Sequence, residues 1–154
     1  MKGSIKLFKI KGIDIKLHFS WWFVFVFIAW MLSSNFFPLY YPKLTTLTHW
    51  FMGITSALLL FVSVLLHELA HSLVAKAKKI KVSTITLFFF GGVASIGEED
   101  MKPSSELQMA LAGPFFSLIL AGTFFFISQF TTNIILGGIV SYLYKLNLIL
   151  ALFN

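Results

Sequence analysis

Apolar positions gather in four long runs separated by short polar segments. Phe19 to Phe37 carries no charge and approaches the roughly 20 residues a helix needs to cross a bilayer. Trp50 to Ala75 is a second run, Leu107 to Phe130 a third with Gly113-Pro114 interrupting it early, and Ile134 to Asn154 a fourth. Pro38 and Pro42 are expected to break the first helix, and Tyr40 and Tyr41 suit a headgroup belt. Ahead of these runs the period is two. Ile13, Ile15 and Leu17 alternate with Asp14, Lys16 and His18, while Ile5 and Leu7 suggest an earlier strand with Gly12 near the turn. Residues 1–18 therefore read as an amphipathic β-ribbon at the membrane surface. The alternation and the length of the apolar run that follows argue against a signal peptide.

Val82 to Ile96 changes character again. Val82, Thr84, Ile85 and Thr86 favour strands, and Phe88-Phe89-Phe90 leads into Gly91-Gly92. The segment is too short and too glycine-broken to span, so residues 82–96 are predicted as re-entrant strands. Such backbone is tolerated at membrane depth only where protein or a water cavity satisfies it. Gly97 to Glu106 is polar and is expected in water. The pattern thus predicts a mainly α membrane protein. One domain over residues 1–154 would hold about four transmembrane helices (19–37, 50–75, 107–130, 134–154) and a small membrane-surface β-sheet made of the ribbon and the re-entrant strands.

Composition agrees: 58% of residues are hydrophobic, 12% are charged, and mean hydropathy is +0.87. A soluble domain carries about 25% charged residues. The net charge of +6 comes from lysine alone, without a basic surface interleaved with aromatics or a glycine-rich phosphate loop, so nucleic acid is not an expected partner. Five lysines precede the first run and four follow the second, whereas the loop between holds only Lys43. Lysine bias marks the cytoplasmic side, which predicts a multi-pass protein of the cell membrane with a cytoplasmic N-terminus and second-helix end. Without cysteine, a metal would need histidine and carboxylate ligands.

The candidate chemistry lies in His67-Glu68-Leu69-Ala70-His71, near the end of the second run. On a helix, side chains four apart share a face, so both imidazoles can reach one ion. Glu68 lies one step round, where it can take a proton from an activated water. The plainer reading is a pair of interfacial histidines with Glu68 reaching to water, but ionisable groups at membrane depth are usually functional. His18 and His49 read as interfacial polar residues rather than ligands. Gly91-Gly92 serves either a tight turn or a sheet edge that pairs with an extended peptide. Gly113-Pro114 reads as a site of close helix packing or a kink.

These pieces, in this order, resemble the site-2 protease family of intramembrane zinc metalloproteases. The resemblance rests on Gly12 to Ser20, the His67 to His71 motif, Phe90-Gly91-Gly92-Val93-Ala94 and Ala110-Leu111-Ala112-Gly113-Pro114. It implies Zn2+ held by His67 and His71, Glu68 as general base, and cleavage of a membrane-embedded or membrane-proximal segment of a regulatory protein. By its place in that pattern Asn154 is an expected substrate-binding residue, beside Gly91 and Gly92 if that edge pairs with a peptide; membrane lipid is an expected partner, with homo-oligomers left open. In the family, an Asp-Gly motif completes the zinc site just beyond the position that Asn154 matches. The chain stops there, so it is expected to be a fragment of a longer protease, inactive alone for want of a third ligand. Asp14 and the Glu98 to Asp100 cluster are the acidic loops that could otherwise serve. Competing readings are a catalytically incomplete membrane module that binds a partner helix or peptide, and a metal transporter. Against the transporter, Glu68 is the single acid within the runs.

Overall fold

The period-two segment folds as a hairpin, β1 (Ser4–Ile10) against β2 (Ile13–His18), in a structure that is a computed structural model and describes residues 3–89, 91–97 and 102–153. Phe90, the Glu98 to Asp100 cluster and Asn154 lie outside the described residues. Lys11 and Gly12 form the two-residue turn with φ of 44° and 85°, the left-handed pair that matches strand twist. The Lys76 ammonium donates to the Lys11 carbonyl and ties this turn to a distant helix end. A second hairpin, β3 (Val82–Phe88) with β4 (Gly91–Ile96), joins the first through parallel pairing of β2 and β3, Ile15 opposite Ile85. The result is one four-stranded sheet in the order β1-β2-β3-β4.

Parallel pairing needs a long crossover, and here the crossover is the first two membrane-length helical segments. The first begins as α1 (Ser20–Met31), passes through a π-helical stretch (Leu32–Phe36) and ends as α2 (Phe37–Tyr40). Contrary to the expectation, Pro38 does not break it. The wider π turn, in which the Phe37 N–H bonds the Leu32 carbonyl, precedes Pro38 and absorbs its missing donor. The helix ends at Tyr41, which leaves the helical region (φ −133°, ψ 55°) just before Pro42, where a proline disfavours the α conformation. The second segment, α3 (Thr46–Ala77), starts earlier than its apolar run because the Thr45 hydroxyl caps it by accepting from the Thr48 N–H. Its 32 residues make a rod of about 48 Å, longer than a hydrocarbon core of about 30 Å. The histidine motif occupies the lysine-bearing end of this rod.

α4 (Pro103–Phe130) and α5 (Ile134–Leu152) form an antiparallel pair, and the Asn133 carboxamide caps α5 by accepting from the Ile135 and Leu136 N–H groups. Four helical segments are long and apolar enough to cross a membrane. The sheet packs by Ile13, Ile15 and Ile85, all fully buried, on Leu69 and Ala75 of α3. At the other end of α3, Met52 packs with Leu32, Phe37, Ile139 and Leu143.

A buried polar contact joins α5 to α3. Asn147 of α5 is fully buried and donates to Ser63 Oγ of α3 at 3.1 Å and to the Leu143 carbonyl at 2.9 Å, while Ser63 Oγ donates to the Leu59 carbonyl at 3.0 Å. Hydrogen bonds between membrane helices contribute about 0.6 kcal/mol on average and up to about 1.7. A double-mutant cycle of Ser63→Ala and Asn147→Ala, read by unfolding in detergent, is expected to give a coupling in that range. Strict additivity would show that the contact does not hold α5 to α3.

Candidate metal centre

The site is built where three elements meet: the lysine-bearing end of α3, the middle of α4 and the edge strand β4. His67 and His71, one turn apart on α3, bring their Nε2 atoms to 3.1 Å from each other. His67 is buried and His71 half-buried. Both rings are held from behind by α4. His67 Nδ1 lies 2.8 Å from Ser117 Oγ, and His71 Nδ1 lies 2.6 Å from the Met109 carbonyl. A carbonyl only accepts, so His71 carries its proton on Nδ1 and presents a bare Nε2. With neutral rings, a consistent chain then runs from the Ser117 hydroxyl to His67 Nδ1, from His67 Nε2–H to His71 Nε2, and from His71 Nδ1–H to Met109. Serine suits position 117 because its hydroxyl can also accept. If the His67 proton moves to Nδ1, Ser117 Oγ receives it and His67 Nε2 is bared too.

Met109, Gly113 and Ser117 recur every four residues and so share one face of α4. Gly113 is the close-approach position. A Cβ there would stand 2.1 Å from His71 Nε2 and 2.6 Å from His67 Nε2, inside the space both nitrogens face. The sequence reading assigned Gly113-Pro114 to close packing. Close packing is what is found, but the neighbours are the two imidazoles, and glycine leaves the volume between them open. Nitrogens bound to one tetrahedral zinc at 2.0–2.1 Å are about 3.3 Å apart, so a pair 3.1 Å apart fits a shared ion with small adjustment.

Glu68, half-buried, runs along β4. A Cβ on Gly92 would stand 2.4 Å from Glu68 Cγ and 3.1 Å from Cδ, so Gly92 is the clearance that lets strand and carboxylate lie side by side. Gly91 and Gly92 open β4, which is an edge of the sheet. Other polar residues go elsewhere. His18 Nδ1 contacts Ser20 Oγ at 2.8 Å, and buried His49 places Nε2 3.0 Å from the Tyr41 carbonyl. Asp14 is bridged by Lys6 at 2.7 Å, and that ammonium holds its carboxyl below the usual carboxylate range. Among the described residues, no group of three or more His, Cys, Asp or Glu is placed to hold a metal. Ser117 and the Met109 carbonyl escaped the sequence reading, since a serine or a backbone carbonyl in an apolar helix carries no metal signature.

The chain is similar to known proteins over its whole length. The sequence model of peptidase family M50 matches residues 55–151. A zinc metalloprotease of Methanocaldococcus jannaschii is 38% identical over 156 residues, covering all of this chain and 41% of its own length. A relative from Synechocystis sp., likewise named a zinc metalloprotease, is 37% identical over 155 residues, covering all of this chain and 40% of its own. The chain therefore spans about two fifths of the length of the curated relatives it matches. A solved structure, a site-2 protease from Methanocaldococcus jannaschii, superposes with a TM-score of 0.60 at 32% identity, over 94% of this chain and 62% of that one.

Two substitutions probe the α4 face. Ser117→Ala removes a partner of a metal-facing histidine and is expected to weaken zinc affinity by about 10–100-fold. Gly113→Ala fills the shared volume and is expected to weaken it further, with helix content by circular dichroism unchanged. Zinc titration against a competing chelator reads both; unchanged affinity in Gly113→Ala would show that the two imidazoles do not share an ion.

Proposed function

Since this chain belongs to peptidase family M50, the site-2 proteases, we propose that it forms the core of an intramembrane zinc endopeptidase. The observation that carries the reading is the pair of Nε2 atoms 3.1 Å apart, each ring fixed at Nδ1 by α4, with Glu68 beside them against β4, the last strand of the described sheet. His67 and His71 are two zinc ligands, and a catalytic zinc calls for a third protein ligand beside them. Bound there, zinc supplies Lewis-acid polarisation and lowers the pKa of water. Glu68 accepts a proton from the attacking water and delivers it to the nitrogen of the leaving amine as the C–N bond breaks. Gly91 and Gly92 let the β4 edge approach the carboxylate, so that an extended peptide pairs with β4 and passes beside Glu68. Asn154 is assigned to the same substrate path by its place in the family pattern.

A helical segment shields its peptide bonds with its own hydrogen bonds, so the substrate must unwind; strand addition is one way to hold it unwound. The substrate class is a membrane-embedded or membrane-proximal segment of a regulatory protein. The lysine-bearing end of α3 faces the cytoplasm, and the sheet and site lie on that side of the cell membrane. Residues 1–154 alone are expected to hold zinc weakly and to be inactive, since two imidazoles leave a catalytic site one protein ligand short. The same observation favours the second reading, a membrane module that binds a partner helix or peptide without cleaving it.

In the full-length protein, Glu68→Gln is expected to retain zinc and lose turnover by at least the about 100-fold that a general base contributes. An unchanged cleavage rate would remove Glu68 from the role of base. Wild-type protein that binds zinc stoichiometrically and cleaves nothing would favour the module. Orientation is read separately, by labelling single cysteines at Lys78→Cys and Thr45→Cys from either side of the membrane. Opposite access is expected, and equal access from one side contradicts the assignment.

A further inference from the structure

Strand β1 reads Ser4-Ile-Lys-Leu-Phe-Lys-Ile10, and simple alternation would mix its faces, placing Lys9 beside Ile5 and Leu7. The structure re-phases it. Lys6 pairs with Lys16, but Phe8 pairs with Ile15, so Leu7 is the extra residue of a β-bulge and Leu7 and Phe8 both oppose Ile15. Cross-strand partners share a face. Ile5, Leu7, Phe8 and Ile10 therefore join the side of the sheet on which Ile13 and Ile15 pack against α3, and Lys6 and Lys9 join Asp14 and Lys16 on the other. The apolar face outruns the protein that should cover it. Ile10 packs on the core, yet Ile5, Leu7 and Phe8 remain 70%, 50% and 46% exposed.

Both ends of the strand are fixed to helix ends. The Phe19 N–H, at the head of α1, donates to the Gly3 carbonyl at 3.1 Å, and Lys76, at the tail of α3, donates to the Lys11 carbonyl. The start of α1 and the end of α3 lie on the same side of a membrane crossed twice between them, so β1 lies along that surface. The lysine face carries unbalanced charge. Lys6 and Lys16 stand directly opposite one another, a destabilising like pair, and Asp14 answers Lys6 at 2.7 Å and Lys9 at 4.0 Å, leaving two positive charges in excess.

We propose that β1 is an interfacial strand, with Ile5, Leu7 and Phe8 seated in the acyl boundary of the bilayer and Lys6, Lys9 and Lys16 among anionic lipid headgroups. The bulge is what makes a strand of this sequence two-faced, and anionic headgroups relieve the lysine pair. Through its pairing with β2, the strand fixes the depth of the whole sheet, including the β4 edge at the other side.

The test uses the full-length protein cleared of any cysteine (residues 1–154 contain none) in phosphatidylcholine vesicles with and without phosphatidylglycerol. Spin labels at Leu7→Cys and Lys9→Cys are compared by collision with oxygen, which partitions into lipid, and with a water-soluble nickel chelate. The label at position 7 is expected to show a several-fold higher oxygen-to-nickel collision ratio than that at position 9, and phosphatidylglycerol is expected to raise it. Equal ratios at the two positions in both membranes would overturn the proposal. So would a position-7 label shielded from both reagents in a way that fades on diluting the protein in lipid, since a second copy would then cover the strand. A deep label indifferent to phosphatidylglycerol would overturn the headgroup assignment.

Discussion

Two imidazoles cannot be set inside a membrane protein without something to orient them, and here a single helix face does so. α4 meets α3 with a serine hydroxyl behind one ring, a backbone carbonyl behind the other, and a glycine between. Removing either polar partner leaves a ring nitrogen unsatisfied in a low-dielectric setting, where lost hydrogen bonds are most damaging. Adding a methyl group to the glycine blocks the space both rings face. The approach of α4 is thus limited on both sides. The α4–α5 pairing, the short cap at Asn133 and the Asn147–Ser63 contact one turn from His67 all hold that approach.

The sheet applies a second constraint to the same end of α3. Its core isoleucines sit on Leu69 and Ala75, which bracket His71, so the strand that faces Glu68 is held by the helix that carries Glu68. A rigid helix thus carries the carboxylate, and the sheet edge beside it is held by that same helix.

Much of this was legible in the sequence because it follows from period. Alternation from Ile13 to His18 showed a strand, four apolar runs showed four helical segments, and the i, i+4 spacing of His67 and His71 fixed their shared face. Features that depend on register or on contacts between distant segments were not. Pro38 read as a helix breaker because the π turn before it has no local signature. One sheet of ribbon and re-entrant strands was expected, but not that β2 and β3 join it in parallel, and nothing near Leu7 announces a bulge. Ser117, Met109 and Asn147 sit in apolar runs whose period shows burial but not partners. Gly113 could be read as a place of close packing, yet its neighbours are set by tertiary structure. Among the described residues, no third His, Cys, Asp or Glu joins His67 and His71 in a group that could hold a metal.

The proposed chemistry requires His67 and His71 to hold one zinc ion between them. X-ray absorption at the zinc edge of the full-length protein tests it most directly, because imidazole rings give a distinctive outer-shell scattering. The account predicts two imidazoles in the first shell at about 2.0–2.1 Å, with both ring signatures lost in the His67→Ala, His71→Ala double variant. A zinc shell without imidazole scattering, or one unchanged in the double variant, would contradict it.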